Sequence, residues 1–174
     1  MRTLIVVDMQ NDFITGSLGT KEAVDIVPRV KKKIEEYDLL RDRIIFTRDT
    51  HYNGYLKTNE GKHLPVPHCM YHTHGWQIAD GLLTKRCHVI NKETFGTLEF
   101  EEGWNLQDAE VVELVGVCTD ICVISNALIL KALCPEVEII VDASCCAGTT
   151  LEMHKAALAV MKSCQINVIN EENA

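Results

Sequence analysis

At 174 residues and 19.5 kDa, with 47% hydrophobic and 24% charged residues, the chain has the composition of a single folded domain over residues 1–174, which excludes disordered, collagenous and low-complexity classes. Lys plus Arg number 17 against 25 Asp plus Glu, a formal charge of -8 that repels phosphate backbones and anionic lipid, so neither nucleic acid nor a membrane is expected as a partner. No apolar run approaches the roughly 20 residues that span a bilayer, and only Met1, Arg2 and Thr3 precede the first run with no room for a secretory leader, so a cytoplasmic protein is expected.

The first apolar run, Leu4–Val7, ends in Asp8. Pro28 suits a first helical turn, after which Val30, Ile34 and Tyr37 recur at spacings of four and three. Ile44–Phe46 follows and runs into Arg48-Asp49. From Thr50 to Gly81 no period is sustained, yet His51, His63, His68, His72 and His74 all lie there. A loop of that length inside a compact domain points to function. His88–Ile90 then leads into Asn91-Lys92, and Val111–Val117 into Cys118-Thr119-Asp120. Residues 120–133 are apolar almost all round, which predicts a buried helix. Val137–Val141 ends in Asp142, and Thr149-Thr150-Leu151-Glu152 reads as a capping box for a helix with Met153, Ala157 and Val160 on one face. Ile166–Ile169 is the last such run.

These runs are continuous rather than alternating, as in strands buried on both faces. The reading is an α/β fold: a three-layer, Rossmann-like domain with a parallel sheet of about six strands and helices on both faces. The eight cysteines include no C-x-x-C pair and no zinc-ribbon spacing, so most are expected to be small core hydrophobes, with one or two carrying chemistry.

Ligands of open parallel sheets bind outside the carboxyl ends of the strands, which here carry Asp8, Asp49, His51, Lys92 and the Cys118–Cys122 segment. Cys122 falls in a first helical turn, where the partial positive charge favours a thiolate and free N–H groups can receive an oxyanion. Packing at a helix start, or a redox pair with Cys118, are the alternatives. Asp8 alone could be a cap and Lys92 a solvated flank; brought together with Cys122 they supply a proton acceptor and a cation for a nucleophile. Asp49, His51 and His68, with Glu60, would make an open site for a divalent transition metal; otherwise they are solvated polar residues.

Several strings together resemble the isochorismatase-like cysteine hydrolase superfamily, most of all its nicotinamidase branch. They are Asp8-Met9-Gln10-Asn11-Asp12-Phe13, Thr47-Arg48-Asp49-Thr50-His51, Pro67-His68-Cys69, Asn91-Lys92-Glu93-Thr94-Phe95-Gly96-Thr97 and, most specific, Gly116-Val117-Cys118-Thr119-Asp120-Ile121-Cys122-Val123. The resemblance implies Asp8 as general base, Lys92 as catalytic cation, Cys122 as nucleophile, and backbone N–H groups of Cys118 and Cys122 as the oxyanion hole. It implies Asp49, His51, His68 and, as a fourth ligand, Glu60 around one divalent metal, zinc first and manganese or iron otherwise. The Val117–Cys118 bond is expected to be cis.

The implied reaction is hydrolysis of nicotinamide to nicotinate and ammonia through a cysteine thioester, as in NAD salvage, by a homo-oligomer acting on a small-molecule carboxamide. Another carboxamide or ureido substrate is the alternative, and a non-catalytic metal or thiol protein the third reading. Leu64-Pro65-Val66-Pro67-His68-Cys69 lacks the tryptophan of the family's W-P-x-H-C element, and the segment after His51 lacks the usual histidine-serine-phenylalanine pattern. The aromatic wall would then come from Phe13 and Phe95, or from Tyr55 or Trp76.

Overall fold

The structure is a computed structural model that describes residues 1–101 and 104–173. Six strands, β1 (Thr3–Val7), β2 (Arg43–Asp49), β3 (His88–Lys92), β4 (Val111–Val117), β5 (Glu138–Ala147) and β6 (Asn167–Ile169), pair in parallel in the order β3-β2-β1-β4-β5-β6. Helices α1 (Asn11–Ile14), α2 (Lys21–Leu39), α3 (Asn59–His63), α4 (Ile124–Leu133) and α5 (Leu151–Ser163) complete the fold. Leu4 and Val6 of β1 pack with Ile26, Val30 and Ile34 of α2. Ile5 and Val7 turn the other way, to Ala127 and Leu130 of α4 and Leu158 and Met161 of α5. Both faces of β1 are therefore covered, which is why its sequence runs apolar without alternation. None of the described helices is long and apolar enough to cross a membrane.

Four local expectations need correction. α2 starts at Lys21, where the Thr20 hydroxyl accepts from Ala23 N, so Pro28 lies inside the helix and not in its first turn. The carbonyl that Pro28 leaves without a donor belongs to Val24, which is 42% exposed and open to water. The cap of α5 is Thr150, accepting from Met153 N, while Thr149 Oγ1 is turned to Asp120. Met153 and Val160 are consequently exposed, and His154, Ala157, Leu158 and Met161 form the inner face. The predicted buried helix opens with a π-turn over Thr119–Val123 before α4 begins.

β5 continues past Asp142, where the apolar run stops. Its register against β4 jumps from Leu114↔Val141 to Gly116↔Cys146, so β5 carries extra residues at this point. Among them, Asp142 accepts from Ser144 Oγ at 2.7 Å and pairs with Lys33 of α2 at 2.9 Å. Lys33 also meets Glu113 of β4 at 2.7 Å, and Tyr37 donates to the same carboxylate at 2.6 Å. Polar residues can be buried here because every one has a partner.

Gly116 lies opposite Val7 with a φ of 120°, and any Cβ there would collide with the Val7 carbonyl. Gly116→Ala is expected to cost about 2–4 kcal/mol of stability in urea unfolding, combining backbone strain with a clash. Gly54 has a φ of 101° and open space, with nothing within 4 Å, where a methyl group would stand, so Gly54→Ala isolates the strain and should cost only about 1 kcal/mol. Equal losses in the two variants would show that the β1–β4 approach does not require glycine.

Candidate active site

The carboxyl ends of β1, β3 and β4 bring Asp8, Lys92 and Cys122 together. Asp8 leaves β1 with a φ of 48°, its N–H held by the Thr47 carbonyl at 3.2 Å and its Oδ1 accepting from Thr47 Oγ1 at 2.7 Å. Lys92 Nζ lies 2.7 Å from Asp8 Oδ2, 3.6 Å from Cys122 Sγ and 3.5 Å from Asp49 Oδ1. Asp8, Lys92 and Cys122 are all buried. One ammonium thus touches two carboxylates and the sulfur.

Burial governs the protonation of this cluster. It raises the Asp8 carboxyl, with the Asp49 charge adding and Lys92 opposing, so Asp8 stands above the usual carboxylate range. Burial also pushes the Cys122 thiol well above its ordinary value; Lys92 opposes this, while the Asp8 and Asp49 charges add to it. The helix-start position was expected to favour a thiolate, but two neighbouring carboxylates and desolvation outweigh it. Burial works against the Lys92 charge, yet Asp8, Cys122 and Asp49 hold it in place and raise its pKa. Within the cluster, burial favours the thiol and the carboxylates favour the ammonium.

Cys122 sits within the π-turn that follows β4, in which the Cys118 carbonyl accepts from Ile121 N at 3.1 Å and Val123 N at 3.0 Å. The Val117–Cys118 bond is cis, as expected. Burial lifts the Cys118 thiol to about 12. Asn126 ties this turn to the segment after Lys92, donating to the Cys122 carbonyl at 2.8 Å and accepting from Thr97 N at 3.0 Å.

Beside the thiol lie Asp49, His51 and His68, whose ligand atoms fall within 4.8 Å of one another. Asp49 Oδ2 is 2.9 Å from His51 Nε2 and 3.5 Å from His68 Nε2. Glu60 Oε1 stands 3.4 Å and 3.7 Å from the same two nitrogens. His51 Nε2 is buried without an aligned hydrogen bond, although the carboxylate is so near. This nitrogen and the carboxylate oxygens converge on one centre, as ligands do. The Val66 carbonyl accepts from His68 Nδ1 at 2.8 Å, which leaves Nε2 to face that centre. The donor set fits a divalent transition metal. The other three histidines of the 50–81 excursion, His63, His72 and His74, take no part in this group.

Cys122 and the Asp49–His51–His68 group line a cavity of about 1090 Å³, whose wall also includes Phe13, Tyr55, Leu64, Phe95, Ile121 and Cys118. Phe13 and Phe95 stand where the aromatic wall was expected, and Tyr55 joins them. Trp76 does not: it is buried beneath Arg48, whose guanidinium lies 3.5 Å from the ring centroid, and donates Nε1 to Thr50 Oγ1. Sequence reasoning passed over Gln10 and Asp12, which hold the site from behind. Gln10 accepts from Asp49 N at 2.7 Å and donates to Asp49 O at 2.8 Å, and Asp12 Oδ2 accepts from Cys69 N at 2.8 Å. Their presence in the opening string was the available signal.

A model of the isochorismatase domain matches residues 2–173. The nicotinamidase of Saccharomyces cerevisiae is 26% identical, the match covering 98% of this chain and 100% of that protein. The structure of a Pyrococcus horikoshii pyrazinamidase in complex with zinc superposes with a TM-score of 0.81 at 29% identity, over 97% of this chain and 98% of the other. An N-carbamoylsarcosine amidase from Thermoplasma acidophilum gives 0.82 at 25% identity, over 96% and 94%. The chain belongs to the isochorismatase family, and these full-length matches are amide-hydrolysing enzymes.

Metal stripped with a chelator and returned as a divalent transition ion should bind at about one equivalent per chain, and His51→Ala or His68→Ala should each weaken binding by about 100-fold or more. Elemental analysis and calorimetric titration read this directly. Undiminished binding in both variants would place the metal elsewhere.

Proposed function

We propose that this amide hydrolase converts nicotinamide to nicotinate and ammonia through a thioester on Cys122. The observation that carries the reading is the Lys92 ammonium, 2.7 Å from Asp8 and 3.6 Å from the sulfur of Cys122, which lines the same cavity as the Asp49–His51–His68 group. Asp8 takes the thiol proton as sulfur attacks the carboxamide carbon, and Lys92 offsets the negative charge passing between them. The raised Asp8 carboxyl is a stronger base than a surface aspartate, which suits a thiol that stays protonated until substrate arrives. Backbone N–H groups of Cys118 and Cys122 receive the oxyanion. Collapse of the tetrahedral species breaks the C–N bond, with Asp8 returning the proton to departing ammonia. Water, deprotonated by the same carboxylate, then cleaves the thioester and restores the thiol.

A divalent metal, zinc in the first instance, held by Asp49, His51 and His68 with Glu60 as fourth ligand, would bind the pyridine nitrogen and so fix the ring. Phe13, Phe95 and Tyr55 enclose the ring's faces, and Leu64 stands in the wall beside them. Fixing the ring so that the carboxamide meets sulfur can supply several kcal/mol of the barrier, by an order-of-magnitude account on the order of 5 kcal/mol. A ureido or carbamoyl substrate is the second reading, favoured by the likeness to the N-carbamoylsarcosine amidase; the metal-binding group at the cavity favours the pyridine ring.

Ammonia release should be measured on nicotinamide, pyrazinamide and ureido compounds. Turnover is expected with the two ring carboxamides, and Cys122→Ala should lower it by about 10⁴-fold or more with metal content and circular dichroism unchanged. Full activity in Cys122→Ala would sink the thioester; turnover of ureido compounds alone would replace the substrate but keep the mechanism.

A further inference from the structure

We infer that His154, on α5 and outside the catalytic cluster, is a positioning residue for the oxyanion-binding peptide at Cys118. The inference rests on the cysteine-amidase reading above. Thr119 follows Cys118 directly, opens the π-turn that delivers Cys122, and is fully buried. Its hydroxyl meets His154 Nδ1 at 2.8 Å. The next residue, Asp120, is fixed from the same quarter: its Oδ1 accepts from Thr149 N at 2.8 Å and its Oδ2 from Thr149 Oγ1 at 2.6 Å. Two consecutive side chains of the nucleophile segment are therefore anchored to the β5–α5 connection and the first turns of α5. The fit is close enough that a Cβ on Gly148 would stand 2.8 Å from His154 Cβ and 2.9 Å from Asp120 Oδ1.

The imidazole is an expensive choice for this place. His154 is 5% exposed, and its Nε2 is buried with no partner among the described residues. A leucine would cover the same inner face of α5 without leaving a polar atom unpaired, so the contact with Thr119 is what the histidine adds. Burial lowers the His154 pKa, which favours the neutral ring. A bare lone pair is a smaller loss than a buried N–H, so the proton belongs on Nδ1, which donates to Thr119 Oγ1. With the Cys118 carbonyl already accepting two N–H groups, the Thr119 side chain fixes the remaining freedom of the peptide planes on either side of Cys118. Those planes set where the Cys118 N–H points.

The test compares wild type with His154→Leu, His154→Asn, Thr119→Val and the His154→Leu/Thr119→Val double variant. Each is read for kcat and KM on nicotinamide and for affinity toward pyridine-3-carbaldehyde. That aldehyde forms a C–S bond with Cys122, the thiol proton passing to Asp8, and leaves its oxygen in the oxyanion position without any leaving group. His154→Leu should lower kcat by about 10- to 100-fold and aldehyde affinity by a similar factor, with KM within about 2-fold. His154→Asn, whose amide reaches the Nδ1 position, should recover most of both, and the double variant should be no worse than the poorer single one. Folded His154→Leu or Thr119→Val with wild-type kcat and aldehyde affinity, no recovery with asparagine, or additive losses would overturn the inference. A wild type that binds the aldehyde but releases no ammonia from nicotinamide defeats the proposed reaction while the aldehyde comparison still decides the role of His154. A wild type that does neither removes both.

Discussion

The buried ammonium of Lys92 is the constraint on which the site is built. An unpaired ammonium at that depth would lose its charge, and two carboxylates as close as Asp8 and Asp49 could not both stay ionised without it. Each member is tolerable only because the others are present. Together they carry one ammonium against two carboxylates, and a thiolate on Cys122 would add a second excess negative charge in the same low-dielectric space. These charges favour the thiol over the thiolate. In the proposed reaction, sulfur would gain nucleophilicity as its proton moves to Asp8, and the cluster would keep it from reacting before an acyl carbon is in place.

Asp49 joins this cluster to the histidine group. Its Oδ1 faces Lys92 and its Oδ2 faces His51 and His68, while Gln10 grips its backbone on both sides. Asp49 and Lys92 are also direct partners in the β2–β3 ladder. The contact between the two centres, Asp49 with Lys92, is consequently set by strand register, while His51 and His68 reach it from the 50–81 excursion. A flat ring bound over the histidines would then meet the sulfur at a fixed distance, the condition under which orientation lowers a barrier.

The layout of the sheet was legible because both of its faces are buried: Leu4–Val7 and Val111–Val117 could scarcely be anything but inner parallel strands. The chemistry was legible for a related reason, since strand ends are where a parallel sheet exposes polar groups, and Asp8, Asp49 and Lys92 each terminate or follow such a run. What escaped were features that long-range partners create. Val141 gave no warning that β5 continues, because the next residue is the charged Asp142, whose burial is satisfied by Lys33 of α2 and by Ser144. The inner face of α5 was misread because His154 looks like a surface residue until Thr119 is placed against it. Gln10 and Asp12 carry no reactive group, and their grip on Asp49 and Cys69 depends on segments roughly 40 and 57 positions away, as the separations of those hydrogen bonds show.

The division between the strand ends and the 50–81 excursion also explains how one chemistry can serve several amides. Asp8, Lys92 and Cys122 stand on or just beyond the ends of strands, and their geometry follows from the register of β1, β3 and β4. His51, Tyr55, Glu60, Leu64 and His68 come from the excursion, which is tied to β3 by the hydrogen bond from Thr50 N to the Lys92 carbonyl and to the segment after β1 by the Asp12–Cys69 and Gln10–Trp76 hydrogen bonds. Changes in the excursion can reshape the ring-facing wall without moving the acylating group. The absence of a tryptophan before His68 is a difference of this kind: it falls in the excursion and not among the residues around Lys92. On the proposed reading, reaction type follows from the strand ends and choice of amide from the excursion.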